Sequence, residues 1–170
     1  MSAPHVAEHF ESHAKQTHAA RLGMWVFLST EVLLFAGLFV AYAVYRWLFL
    51  EDFERASRHL KTWVGTLNTF VLLFSSFLVA LALYTARTGR SRPTALLLAA
   101  SAVLGFVFLG FKAFEYHSEI AEGLLPGRLM AVPELKTPGG ALFFSMYFMI
   151  TGLHAIHVTI GIGVLIFVAV

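Results

Sequence analysis

Residues 24–45 read MWVFLSTEVLLFAGLFVAYAVY, and Glu31 is the one charge among them. A helix needs about 20 apolar residues to cross the hydrocarbon core of a bilayer. The run is long enough to span, and it must do so with a carboxylate inside it. On insertion scales such a group costs roughly 2.5–3.5 kcal/mol near a helix centre. Glu31 must therefore face protein, lipid headgroup or trapped water, and function is the default reading of a carboxylate kept there. The rest of the chain has the same character. Of its 170 residues 58% are hydrophobic and 13% charged, against about 45–50% apolar in soluble domains. This composition implies an integral membrane protein, with no room for a separate soluble domain.

The net charge of +2 is too small to argue for nucleic acid as a partner. The absence of cysteine excludes disulfides, thiolate metal sites and covalent c-type haem. The opening MSAPHVAEHFESHAKQTHAARLG lacks the basic start and short apolar core of a signal peptide.

Hydropathy predicts an all-α, polytopic transmembrane helix bundle with four spans, at residues 22–50, 64–86, 94–114 and 139–170. Residues 1–21 are expected as a polar cytoplasmic segment and 22–170 as the transmembrane domain. EDFERASRHLKT is read as the first loop, of mixed charge, and ARTGRSRP as a short basic second loop. The third, EYHSEIAEGLLPGRLMAVPELKTP, is mostly acidic. Uncompensated arginines mark cytoplasmic loops, so Arg87, Arg90 and Arg92 place that loop and the N-terminus in the cytoplasm. The last span ends at VLIFVAV with no charged stop, as expected if another chain, or more of this one, supplies the next segment.

Small residues line the first span at Gly23, Thr30, Gly37 and Ala41, and the fourth at Ala155, Thr159 and Gly163. This spacing lets helix backbones approach closely. His154, His157 and Gly161 lie on nearly the opposite side of the fourth span. A helix with small or polar groups on two faces needs neighbours on both, so a larger membrane partner is expected.

The two histidines bear on Glu31. At 1.5 Å per residue Glu31 lies about 10 Å from the cytoplasmic face, and His154, counted from the other side, about 9 Å from it. The matching depths suggest a Glu31–His154 or Glu31–His157 hydrogen bond, far cheaper than a bare carboxylate. It would serve either as a helix lock or in a proton or lipid role. The i, i+3 histidines with Glu31 also admit a metal, but the signal is weak and no metal is expected. His5, His9, His13 and His18 recur near helical spacing and read as a solvated segment able to collect protons, since histidine titrates near neutrality. Glu115, Glu119 and Glu122, with Tyr116 and His117, read as a solvated or partner-facing edge, and Lys112 as a side chain snorkelling to that surface. Asn68 and Ser75 read as interhelical hydrogen-bond glue. Neither a nucleotide loop nor a catalytic triad is present, and no catalytic residue is assigned.

Four segments resemble a known family, in its order. RLGMWVFLSTEVLLFAGLFVAYAVYR resembles the glutamate-bearing helix of the cytochrome c oxidase subunit III family, an accessory subunit of haem-copper oxidases. TLNTFVLLFSSFLVALAL and LGFVFLGFKAFEYHSEI are similar to the next two helices of that family. GALFFSMYFMITGLHAIHVTIGIGVLIF resembles the helix carrying GxHxxHxxIG. The resemblance implies a subunit that holds no redox metal, packs beside subunit I, carries phospholipids in a cleft and supports proton uptake. It puts Glu31 at the family's intramembrane carboxylate and His154 and His157 at its two histidines. The two helices that open the longest members, and the family's final aromatic-rich helix, have no counterpart here. In the family the lipid cleft lies between those two opening helices and the rest, so the resemblance does not fix its shape here.

The expected function is thus non-catalytic. The chain would support subunit I stability, lipid binding and proton uptake in a terminal oxidase of the bacterial cytoplasmic membrane. Subunit I is the main partner expected, with subunit II and lipids, and haem and copper belong to those partners. STEVLLF favours the cytochrome c oxidase branch over a quinol oxidase or nitric oxide reductase partner. An independent proton-conducting protein using Glu31, or a histidine-ligated cytochrome, are the rivals from other classes.

Overall fold

A backbone in hydrocarbon must satisfy its own N–H and C=O groups, so long apolar runs fold as helices. The computed structural model describes residues 11–126 and 131–169. Its elements are α1 (His13–Leu48), α2 (Leu50–Ser57), α3 (Thr62–Arg87), α4 (Ser91–Ala121), a 3₁₀ turn (Pro133–Leu135) and α5 (Pro138–Ala169). No strand occurs among the described residues. α1, α3, α4 and α5 are long and apolar enough to cross a membrane. The fold is all-α and polytopic, as the hydropathy predicts.

α1 starts at His13, so part of the polar segment ahead of the span is helical: alanines and long polar side chains continue the helix past its apolar run. α4 runs on to Ala121, so the first residues of the segment read as the third loop are helical too. The segment read as the first loop instead contains α2, which buries Phe53 and Ala56 one turn apart and carries Glu51 and Asp52 in its first turn. Acids there favour the helix N-terminus electrostatically.

The chain divides into two compact units, Met1–Val44 and Tyr45–Val170. In the first, two hydroxyls within the apolar run of α1 are satisfied by its own backbone. Ser29 donates to the carbonyl of Trp25 at 2.8 Å and Thr30 to that of Phe27 at 2.7 Å.

The second unit is built on the antiparallel pair α3 and α4. Ser75 and Ser101 bond side chain to side chain at 2.7 Å, and Thr85 and Thr94 at 2.8 Å. Both ends of the pair are closed by the same device. Gly89 and Gly123 have φ of 74°, the left-handed geometry that ends helices. Arg90 N–H then reaches the Thr85 carbonyl at 3.1 Å, and Leu124 N–H reaches that of Glu119 at 3.0 Å. Pro93 sits in the first turn of α4, where a missing N–H costs nothing.

α5 packs on α4 and, at its start, on α2 and the 3₁₀ turn. Gly105 makes the α4 contact possible, since a Cβ there would lie 2.7 Å from Ile162 Cγ1. At the end of the unit opposite the arginine loop, Phe53, Ala56, Leu124, Leu135 and Phe144 form a small dry cap. Phe143 meets Phe53 edge to face there, centroids 5.3 Å apart.

Candidate functional site

α4 buries Leu98, Ser101, Ala102, Gly105, Phe108, Glu115 and Glu119. Their spacing of three and four residues is one stripe of a helix. Glu115 and Glu119 continue that stripe toward the C-terminal end, so they turn into the interface with α5. They are 5% and 4% exposed. This corrects the expectation of a solvated acidic edge for these two. The physical reason is the helical register, which carries them to the packed face while His117 and Ile120 point out.

A closed polar group forms around them. Lys112 pairs with Glu115 Oε2 at 2.7 Å, with the two side chains 13% and 6% exposed. Lys112 also donates to the Tyr147 hydroxyl at 3.2 Å, and Tyr147 donates to Glu115 Oε1 at 2.9 Å. Lys112 Nζ lies 5.1 Å from the Tyr147 ring centroid, close enough for a cation–π contribution. The lysine therefore does not reach away to the surface; its ammonium is held by α5. Next to it, Tyr116 hydrogen-bonds Thr151 and stacks edge to face on Phe148 at 5.1 Å. Glu122 does remain at the surface, where Lys61 from the start of α3 reaches it at 3.1 Å.

The histidines stand deeper along α5. The His154 ring meets Phe108 edge to face, centroids 5.5 Å apart. His157 Nδ1 is 2.8 Å from the Leu153 carbonyl. A carbonyl only accepts, so Nδ1 carries the hydrogen, and in the neutral ring Nε2 is then the acceptor nitrogen. Both rings are half-buried. Thr159 and Gly163 are exposed, while Ile162 of the same helix is the residue packed on α4.

Glu31 is half-buried, midway along α1. It belongs to the first unit and the two histidines to the second. Gly23 and Gly37 are exposed along the same helix, and a Cβ on either would meet nothing within 4 Å. His13 and His18 are exposed on the first turns of α1, whereas His5 and His9 lie outside the described residues. Ser75 makes the interhelical bond expected of it. Asn68 is 3% exposed, but neither its amide nitrogen nor its oxygen meets a hydrogen-bond partner. Among the described residues no three His, Asp or Glu side chains come together in a metal-holding group.

No protein-family model matches the chain. It is similar to curated relatives over most of its length. A probable quinol oxidase subunit 3 of Staphylococcus epidermidis is 29% identical over 163 residues, covering 93% of this chain and 73% of the relative. The protein of the same name in Staphylococcus haemolyticus is 26% identical, covering 90% of this chain and 70% of the relative. That of Staphylococcus aureus is 26% identical, covering 93% and 73%. The subunit III resemblance therefore extends beyond the quoted motifs to nearly the whole chain. These relatives are named for quinol rather than cytochrome c, so the branch suggested by STEVLLF is not the one they carry.

Proposed function

We propose that this chain is the third, non-redox membrane subunit of a haem-copper quinol oxidase. The observation that carries the proposal is the similarity to quinol oxidase subunit 3 over 93% of the chain. Four helices of membrane-spanning length and composition support it. In this reading the subunit packs beside subunit I, with subunit II in the same complex, in the bacterial cytoplasmic membrane. Its N-terminus and the Arg87–Arg92 loop face the cytoplasm. Haem and copper sit in the partner subunits, and structural phospholipids bind alongside. The chain stabilises subunit I and supports proton uptake while the partner reduces oxygen.

Glu31 is the intramembrane carboxyl of this subunit, paired with His154 or His157. The Nδ1–H···O=C bond of His157 leaves Nε2 of the neutral ring as the nitrogen able to accept from an acid. A Glu31–His157 pair would then share one proton between a carboxyl oxygen and Nε2. Ala155, Thr159 and Gly163 form a close-approach surface for a helix of the partner.

The test is purification of the tagged chain from its own membrane in mild detergent. It should carry a haem-bearing partner, show a Soret band, and consume oxygen with a quinol donor but not with reduced cytochrome c. A chain that elutes alone and colourless would overturn the oxidase reading; turnover with cytochrome c would move it to the other branch. The same preparation tests the N-terminal histidines as proton collectors. With His5, His9, His13 and His18 all changed to Gln, quinol-driven turnover should fall at alkaline pH, where protons are scarce. Unchanged turnover there would remove that role.

A further inference from the structure

We propose that the α4–α5 interface holds one exchangeable proton on the Glu115–Glu119 carboxyl pair, in addition to the charge of Lys112. The inference does not rest on the oxidase reading, because it concerns this chain's own residues.

The argument begins with charge. Two carboxyl groups and one ammonium share a site in which both acids are more than nine-tenths buried. With every group ionised the site would carry one uncompensated negative charge. A buried charge without a partner is among the most expensive arrangements a fold can hold. Among the described residues the other ionisable groups nearby do not supply a second cation. Glu122 is an acid and is taken by Lys61 at the surface. Tyr116 and Tyr147 are phenols, neutral near pH 7. His154, the basic group of α5 that meets α4, does so at Phe108, about 16 Å along the helix from Glu119. His117 is on the exposed side of α4.

Hydrogen-bond counting leads to the same place. Tyr147 has one hydroxyl hydrogen, and it goes to Glu115 Oε1. Lys112 donates to the Tyr147 oxygen and faces Glu115 Oε2 at 2.7 Å as an ion pair, which supplies charge but no aligned hydrogen bond. Glu119 Oε2 is buried and meets no donor. An ionised Glu119 would therefore keep a bare oxygen away from water. Protonation removes both defects together. The site becomes neutral, and Glu119 changes from an acceptor that meets no donor into a group that can itself donate. The step is a simple protonation: a carboxylate takes a proton from water, and no electron moves. Glu119 stands on the last turn of α4, three residues from the surface pair Glu122–Lys61, so the exchange path to solvent is short.

Infrared spectroscopy of the purified full chain in lipid vesicles at neutral pH tests this directly. The wild-type minus Glu119→Gln difference spectrum should contain the carbonyl stretch of one protonated carboxylic acid, and that band should shift in D₂O. Glu115→Gln should abolish the same band, since one carboxylate then balances one ammonium. Lys112→Met should double it, because two carboxyls then need two protons. Lys112→Met/Glu119→Gln should restore the single wild-type intensity. Circular dichroism confirms that each variant compared is folded. If the Lys112 variants do not fold, the two isosteric Gln variants still decide the matter. A wild-type chain with no such band, or a band that survives either Gln substitution, would overturn the proposal.

Discussion

Lys112→Met is expected to cost the folded chain about 3–5 kcal/mol, the range for removing one member of a buried ion pair. Lys112 and Glu115 are 13% and 6% exposed, and the ammonium also holds the Tyr147 hydroxyl. Without it, α4 loses its buried ion pair, its hydrogen bond from Lys112 to Tyr147 of α5 goes as well, and two acids are left facing tyrosine. The lower end of the range is expected, because both acids then take up protons; a cost at the upper end would mean that charge remains. The companion variant is Lys61→Met. Lys61 pairs with Glu122 at 3.1 Å, much like the buried pair, but the side chains are 44% and 48% exposed. Solvent and salt screen such a pair, so its loss should cost less than about 1 kcal/mol. Unfolding of the helical signal in mixed micelles under rising dodecyl sulfate measures both. Equal effects would mean that Glu115 is hydrated and that the interface is wetter than the structure shows. Adding Glu115→Gln to Lys112→Met should recover part of the loss, since one buried carboxyl then remains instead of two.

The four spans were legible because each buries its backbone in about 20 consecutive apolar residues, a signal that needs no tertiary information. α2 was not, because eight residues give barely two turns, and mixed charge hid the Phe53–Ala56 pair that packs on α5. The fate of Glu115 and Glu119 was written in the chain but outvoted. Charge near a helix end suggested solvent, whereas the spacing from Ser101 through Gly105 and Phe108 to Lys112, Glu115 and Glu119 marks a single face. Periodicity was the better guide, and the tyrosine that makes the burial tolerable lies 32 residues away from Glu115 in another helix. No local window could pair the two. For Glu31 the sequence supplies depth but not azimuth. Depth can match a carboxyl to a histidine without saying which faces meet, so that pairing stands as a proposal to be tested in the assembled complex.

Glycine positions separate what holds this chain together from what holds it to a partner. Gly139→Leu should unseat the start of α5. A Cβ there would fall 2.6 Å from Asp52 Cβ and 2.8 Å from Phe49 Cβ. Both atoms are fixed to the backbone, so neither can swing aside as the end of a long side chain could. Overpacking of this kind costs about 1–3 kcal/mol and sometimes more. It should fall at the upper end here, because α2 and the start of α5 are packed together through the buried rings of Phe53, Phe143 and Phe144. Gly163→Leu is the opposite case. It is exposed on α5, and a Cβ there meets nothing within 4 Å. The chain's own stability should change by no more than about 0.5 kcal/mol, as for surface changes away from special features. If the Ala155–Thr159–Gly163 stripe receives a partner helix, that same leucine should sharply lower the haem that co-purifies with the tagged chain. Gly139→Leu would lower both quantities together, Gly163→Leu only the second. A Gly163 variant that retains its haem partner in full would remove the stripe as a docking surface, while leaving the fold of α5 and its polar contact with α4 as they stand.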